Sequence, residues 1–162
     1  MQRTGDPTSH EPRRTALASI ELPVPAERVW DVVADVRNHD RWIPLTRVDA
    51  APALGVGDTF VAVTGPGAAR GRGGLRDTMT VTRSDPPTAT TAGVGVYRKT
   101  GPVLLGEATV HVRPTGPRSC ALIWTEDVHL RGLPRALTAP LLRPFTAVML
   151  HRALRAVRAE LA

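Results

Sequence analysis

The sequence predicts an α+β fold in which one antiparallel sheet of seven strands is followed by a long C-terminal helix. Three observations predict it. A chain of 162 residues has the length of a single domain. From residue 46 to 131, apolar stretches of strand length alternate with short breaks that contain Gly or Pro, and short breaks favour antiparallel neighbours. From Pro134 to Ala162 the chain is rich in Leu, Ala and Arg without two-residue alternation, which indicates a helix.

The first elements are predicted to be one strand and two short helices. Alternating apolar residues predict a half-buried strand from Thr15 to Leu22. Pro25 suits the first position of a helix, and the segment from about residue 25 to 36 has one apolar face. That face is formed by Val29, Val32, Val33 and Val36. A second short helix is expected from Asn38 to Trp42, and the two tryptophans of this region are expected to pack the helices onto the core.

Six further strands complete the predicted sheet. They are expected at Thr46–Ala51, Asp58–Thr64, Leu75–Arg83, Ala89–Tyr97, Val103–Arg113 and Ser119–Arg131. The terminal helix then runs to Ala162, and Pro140 and Pro144 allow a break within it.

The apolar residues of the terminal helix occupy two successive faces. One face carries Leu141, Leu142, Phe145, Val148 and Met149, and the other carries Leu150, Leu154, Val157 and Leu161. At 3.6 residues per turn the two faces lie roughly 150° apart. Two interpretations stay open. Either the first half covers a pocket while the second half packs against another surface, or the helix is kinked at Pro144 and wraps a twisted sheet.

Composition excludes several classes of protein. The chain is 42% apolar and 22% charged, as in folded proteins that stay in solution. No apolar run is long enough to span a bilayer, and the single Cys120 cannot form an intrachain disulfide. Residues 1–14 are polar, have no signal-sequence pattern and are expected to be a flexible tail before a folded domain of residues 15–162. These features predict a cytoplasmic protein.

The net charge of +6 does not predict a nucleic-acid partner. Twenty arginines and one lysine are spread along almost the whole chain instead of forming one stripe. Arginines in the terminal helix leave two alternatives, a solvated outer face or a weak contact with a membrane surface. They are Arg143, Arg152, Arg155 and Arg158.

Four segments of the chain carry a family pattern. They are Ile20–Asp35 followed by Trp42 and Pro44, then Gly57–Phe60, then Val81 with Asp85–Pro87, and Trp124–Glu126. In this pattern the chain resembles, over about residues 15–160, the START-like (SRPBCC) superfamily and its polyketide cyclase/dehydrase and lipid-transport branch. The resemblance implies the helix-grip fold, in which a curved sheet wraps the C-terminal helix around a hydrophobic cavity. Members bind sterols, lipids, quinones, polyketides or plant hormones, and some are cyclases.

Strand alternation predicts which residues face such a cavity. On the last hairpin, with its turn near Gly116, the inner pairs are Ala108 with Trp124, Val110 with Leu122, and Val112 with Cys120. On the hairpin that turns at Pro86–Pro87, they are Asp77 with Val96, Met79 with Val94, and Val81 with Ala92. Glu126 then also points inward. The residues predicted to contact a ligand are Phe60, Asp77, Met79, Val94, Val96, Trp124, Glu126, Leu142, Phe145 and Met149.

The two inward carboxyl groups are the chemically informative part of this set. Burial raises a carboxyl pKa, so Asp77 or Glu126 could bind a ligand hydroxyl or donate a proton. Their strands are three apart, roughly 14 Å across a flat sheet, so they are not expected to act as a pair. The alternative is that each carboxylate is paired with a neighbouring Arg or with Tyr97, or lies where a strand bends into water.

No metal or cofactor site is predicted. His111 and His129 are far out of register on one hairpin, too distant to share a metal ion. Cys120 has no nearby His to activate it and is expected to be a small buried thiol. The segment Arg70–Gly74 is expected to be an ordinary flexible loop.

The leading prediction is a protein that binds a small hydrophobic molecule, a lipid, quinone or polyketide-like compound, between the sheet and the terminal helix. The alternative is an aromatase/cyclase that acts on a polyketide intermediate. There a carboxylic acid, with Tyr97 or Arg98 near the mouth, would assist enolisation and loss of water. No residue is assigned a catalytic role from the sequence.

Overall fold

The computed structural model describes residues 15–162 as one curled sheet with a long helix packed across its inner face. The seven strands are antiparallel in the order β1-β7-β6-β5-β4-β3-β2. In chain order the elements are β1 Ala16–Leu22, α1 Ala26–Val33, α2 His39–Trp42, β2 Thr46–Asp49, β3 Thr59–Thr64, β4 Leu75–Asp85, β5 Gly93–Pro102, β6 Leu104–Gly116, β7 Ser119–Leu130 and α3 Arg135–Leu161. The predicted fold class is confirmed, while the tail predicted at residues 1–14 lies outside the described residues.

The two short helices close one side of the core. Helix α1 follows Pro25, as predicted, and buries a face formed by Ala26, Val29, Trp30 and Val33. A 3₁₀ turn from Val36 to Asn38 leads into α2, and the Asp35 side chain caps this turn by accepting a hydrogen bond from the backbone N–H of Arg37. Trp42 is also buried, so both tryptophans pack as expected.

Strand β5 begins four residues later than the sequence predicted. Its first residue, Gly93, is tightly packed, because a Cβ atom there would lie 2.6 Å from Pro87 Cδ and 2.8 Å from Trp30 Cε3. Residues 86–92 form the connection between β4 and β5, and Pro87 is its buried residue. Strand β4 in turn continues to Asp85.

Helix α3 is continuous over 27 residues, and the break allowed at its internal prolines does not occur. Pro140 and Pro144 both lie on the exposed side of the helix. A proline inside a helix removes one N–H donor and frees the carbonyl one turn earlier. On this side water can bond to the freed carbonyls.

The two apolar faces of α3 meet different surroundings. Leu150, Ala153, Leu154 and Val157 are buried in the core. Leu141, Phe145 and Val148 are 66%, 74% and 55% exposed. The first half instead turns Thr138, Ala139 and Thr146 inward. Among residues 15–162, no helix has both the length and the apolar character needed to cross a membrane.

Candidate functional site

A small cavity lies between the sheet and α3. Its volume is about 70 Å³. The lining residues include Phe60, Ala62, Asp77, Met79, Tyr97, Lys99, Ala108, Trp124, Glu126, His39 and, from α3, Met149. Pockets for drug-sized ligands usually measure about 300–1,000 Å³. The interior expected from the sequence is thus largely filled by side chains, and only a part of it is open.

Six of the ten predicted contact residues line this cavity, and four do not. The six are Phe60, Asp77, Met79, Trp124, Glu126 and Met149. Val94 and Val96 lie on the opposite face of β5 from Tyr97 and Lys99. Phe145 points to solvent, and the half-buried Leu142 is not among the lining residues.

The assignment of the β5 faces was wrong because the register of the β4–β5 pair differs from the predicted one. Met79 pairs with Lys99, not with Val94. Near the turn Arg83 pairs with Val96, but a β-bulge between Val81 and Arg83 shifts the pairing by one residue, which places Tyr97 opposite Val81 and Lys99 opposite Met79. Tyr97 and Lys99 therefore point inward, and Arg98, proposed to lie near the mouth of a cyclase pocket, points away from the cavity.

The β6–β7 register also differs from the prediction, but by two residues. Val110 pairs with Trp124, and Ala108 pairs with Glu126. A shift by two residues keeps each side chain on its face. The inward placement of Trp124 and Glu126 therefore agrees with the prediction, although their partners differ.

A buried lysine joins the two carboxyl groups at the cavity. Lys99 Nζ donates a hydrogen bond to Asp77 Oδ2 at 2.5 Å and lies 3.9 Å from Glu126 Oε2. It also lies 3.7 Å from Met79 Sδ. The side chains of Lys99, Asp77 and Glu126 are no more than 10% exposed. We call these three residues the charged cluster.

Small residues on β6 allow the charged cluster to form. Ala108 stands between Tyr97 and Glu126 in the cross-strand row, and its methyl group leaves room for the lysine chain. Lys99 pairs with Gly106, where a Cβ atom would lie 1.9 Å from the Asp127 carbonyl oxygen. The curled sheet and the long lysine side chain thus bring together two carboxyl groups that a flat sheet would keep apart.

Burial and neighbouring charges together set the pKa values of Glu126 and Lys99. Burial raises the pKa of Glu126; Lys99 opposes this effect, and Asp77 adds to it. Burial by itself lowers the pKa of Lys99, but the attraction of Glu126 and Asp77 outweighs it, so the pKa is raised overall. The cluster therefore holds a stable ammonium beside an acid that keeps its proton to a higher pH than an exposed glutamate.

Two further polar atoms at the cavity have no partner. Asp77 Oδ1 and Trp124 Nε1 are buried and form no hydrogen bond with any described residue. One is an acceptor and the other is a donor. Buried polar groups in folded proteins are normally hydrogen-bonded, so this pair is unusual.

His39 and Tyr97 complete the polar lining. His39 Nε2 lies 2.8 Å from the Val33 carbonyl oxygen, to which it donates as an N–H, and burial lowers the His39 pKa to about 4. The ring is therefore neutral near physiological pH and lies 4.9 Å from the Trp124 ring, centroid to centroid. Burial also raises the pKa of Tyr97 to about 12, so this phenol keeps its proton.

Sequence reasoning missed Lys99, although the chain contained a signal for it. Lys99 is the single lysine beside twenty arginines. An ammonium on a flexible stem can be buried between carboxylates where a planar guanidinium does not fit. A lone lysine in an arginine-rich chain therefore indicates a position that needs a compact cation.

Cys120 is the small buried thiol that the sequence predicted. Burial raises the pKa of its thiol to about 11, and Glu21 and Glu27 contribute to this rise. A thiol that keeps its proton is a poor nucleophile. This residue therefore belongs to the packing of β7.

Comparisons with known proteins agree with this architecture. The family model described as polyketide cyclase / dehydrase and lipid transport matches residues 13–162. No curated protein matches the chain. A START superfamily protein from Mycobacterium smegmatis is 16% identical with a TM-score of 0.64, over 91% of this chain and 96% of that one. The Zhui aromatase/cyclase from Streptomyces sp. R1128 is 21% identical with a TM-score of 0.59, over 91% and 92% of the two chains. At these identities the two structures establish the fold only.

Proposed function

Because the chain belongs to the polyketide cyclase/dehydrase and lipid transport family, we propose that it binds a small molecule with an apolar body and a hydroxyl group at one end. The observation that carries the proposal is the unpartnered pair at the cavity, Asp77 Oδ1 and Trp124 Nε1. A hydroxyl group can donate to a carboxylate oxygen and accept from an indole N–H, which are the two roles that these unpartnered atoms leave open.

The charged cluster favours a neutral polar end over a carboxylate. Lys99 already contacts both acidic side chains. A carboxylate ligand would add a third acid to one buried ammonium, and burying such an excess of negative charge is costly. An alcohol or a phenol avoids this cost, which separates the proposed ligands from free fatty acids.

Binding requires the cavity to widen. A ring system with a hydroxyl group does not fit into about 70 Å³. Met79 and Met149 line the cavity, and Met149 lies at its α3 edge. Thioether side chains have three rotatable bonds and adapt readily to a new neighbour. We propose that these two side chains move aside when the ligand enters.

Calorimetric titration with 2-naphthol, naphthalene, menadione and decanoic acid tests the proposal. We expect saturable binding of 2-naphthol and about tenfold weaker binding of naphthalene, the loss expected for hydrogen bonds to a charged group. Decanoate should bind more weakly than 2-naphthol. Absence of saturable binding for every probe, together with no small molecule in native mass spectrometry of the purified protein, would refute the proposal.

Two variants locate the binding site. Ala62→Leu adds three carbon atoms inside the cavity, so it should abolish 2-naphthol binding while the protein stays folded. Val61→Leu on the outer face of the same strand is the matched control and should bind like the wild type. Trp124→Phe removes the indole donor and should reduce binding of 2-naphthol but not of naphthalene. Equal binding by Ala62→Leu and Val61→Leu would place the ligand elsewhere.

A second candidate is the cyclase reaction, and the observation that favours it is Glu126. Its raised pKa makes it a proton donor inside an otherwise mostly apolar cavity. Incubation with a reactive poly-β-ketone should then give a product profile that changes in Glu126→Gln more than in Asp77→Asn. Identical profiles for the wild type, both variants and a protein-free control would exclude the enzyme and leave the binding protein.

A further inference from the structure

Helix α3 and the turn before it carry an exposed apolar strip. Its members recur every three or four residues, which places them on one side of the helix. They are Leu133, Leu137, Leu141, Phe145 and Val148, each at least 55% exposed. Large apolar residues exposed in a continuous row are uncommon on proteins that work alone in water, and they mark an interaction surface.

The same side of α3 continues as a basic surface. Arg152 follows Val148 by four residues, and Arg155 follows Arg152 by three, so both extend the strip toward the C-terminus. Both arginines are exposed. The sequence from Val128 to Ala159 contains six arginines and neither Asp nor Glu. The partner of this surface must therefore offer an apolar layer that takes up the strip and negative charge that attracts the arginines.

We propose that this side of α3 docks onto the surface of a bilayer that contains anionic lipid. An apolar helix face with arginines beside it matches the boundary between acyl chains and negative headgroups. The exposed Phe145 ring would enter the interface, while Arg152 and Arg155 would lie at the level of the headgroups. This inference stands apart from the cavity and does not depend on the proposed ligand.

Charge disfavours a second copy of the chain as the partner. If two strips paired in parallel, Arg152 of one copy would face Arg152 of the other. If they paired antiparallel, Arg152 would approach the start of the other helix, where Arg131 carries a positive charge and Asp127 is already paired with Arg135. Neither arrangement offers a carboxylate from residues 128–159, and Glu160 is already bound to Trp42 and Arg41.

The shape of the strip disfavours a folded protein partner. Specific protein interfaces need close shape complementarity around buried anchor residues. The strip is a convex row of side chains on a single helix. A fluid lipid surface can adapt to such a row, whereas a rigid protein surface would need a matching groove.

Sedimentation of the full chain with vesicles tests the proposal. The probes are vesicles of phosphatidylcholine alone and vesicles with about one-third phosphatidylserine, at low and high salt. We expect binding to the anionic vesicles that falls with salt, and little binding to phosphatidylcholine. Arg152→Gln with Arg155→Gln should weaken the partition coefficient by about fivefold for each arginine. Phe145→Ser should weaken it by about tenfold.

Matched controls distinguish docking through α3 from nonspecific electrostatic or hydrophobic binding by other parts of the surface. Arg113→Gln with Arg118→Gln removes two exposed positive charges from the β6–β7 hairpin, and Val56→Ser removes an exposed apolar residue from a loop. Both controls should bind like the wild type. The proposal is overturned if the wild type ignores anionic vesicles, if it binds both vesicle types equally, or if the controls weaken binding as much as the strip variants. A dimer in light scattering that Phe145→Ser dissociates, without vesicle binding, would identify a second copy as the partner instead.

Discussion

The two halves of α3 use apolar residues in opposite ways. From residue 150 onward the large side chains point into the core, where Leu150, Leu154 and Val157 are almost completely buried. From residue 135 to 148 Leu137, Leu141, Phe145 and Val148 point outward, and the inner side carries mainly small or polar residues such as Thr138 and Ala139. One continuous helix is therefore a core element in its second half and a surface element in its first.

The interior shows the same division. The C-terminal half covers a filled apolar core. The cavity borders α3 at Met149, where the halves join, and it contains the charged cluster. If the apolar residues of α3 served only to stabilise the fold, they would be buried along the whole helix. Here the first half of the helix contributes less to stability, and the structure has instead a cavity that contains charged side chains and an exposed apolar strip, as expected for regions with a function.

The largest expected effect is at the charged cluster. Lys99→Met removes the cation that Asp77 and Glu126 share, so we expect the free energy of unfolding to fall by about 4 kcal/mol in urea denaturation near neutral pH. Adding Asp77→Asn and Glu126→Gln to this variant should restore most of the loss. Arg47→Met is the matched control: it breaks a solvent-exposed ion pair with Asp49 and should cost far less than Lys99→Met, because water screens this pair. Equal costs for Lys99→Met and Arg47→Met would remove the distinction between the cavity and the surface.

Substituting one leucine in each half of α3 tests whether the two halves differ in their contribution to stability. Leu154→Ala leaves a gap in the filled core and should lower the free energy of unfolding by about 3 to 4 kcal/mol. Leu141→Ala changes an exposed side chain and should stay within about 0.5 kcal/mol of the wild type. The same urea titrations measure both values. If the two substitutions cost the same, the two halves do not differ as the structure indicates.

The cavity end should also make stability depend on pH. The His39 pKa is about 4 in the fold and 6.5 as a free group, so between these values the unfolded chain binds a proton that the folded chain does not. The contribution of the neutral ring is complete above pH 6.5 and is lost as the pH falls toward about 4, by roughly 3 kcal/mol. His39→Gln keeps a donor for Val33 and should show a flatter pH profile of unfolding. The exposed His151→Gln is the control, and a profile as flat as that of His39→Gln would contradict the assignment.

The smallest effect is expected at the end of the C-terminal half. Trp42 Nε1 donates to Glu160 Oε2 at 2.8 Å and holds the last turn of α3 against α2. Trp42→Phe keeps part of the buried ring and should cost about 1.5 to 2 kcal/mol, because it removes a hydrogen bond to a carboxylate. In a Glu160→Gln background the same substitution should cost less. An unchanged cost in both backgrounds would mean that ring packing, and not the polar contact, holds this end.

Much of the fold follows from local sequence patterns. The order of the elements, the position of the terminal helix and the existence of its two apolar faces were predicted, because each depends on periodicity within one segment. The inward direction of Trp124 and Glu126 was also predicted. That prediction holds although the predicted β6–β7 register was wrong by two residues, because a shift of two residues leaves each side chain on the same face of the sheet.

The candidate site was harder to predict because it depends on contacts between distant segments. A β-bulge between Val81 and Arg83 shifts the β4–β5 pairing by one residue, and this shift places Lys99 opposite Met79 on the inner face. The sequence by itself determined which side chains share a face on each strand and helix. The tertiary structure decided which side each one used, how much space was left, and that one lysine joins two carboxyl groups, because register and sheet curvature arise only when the whole chain packs.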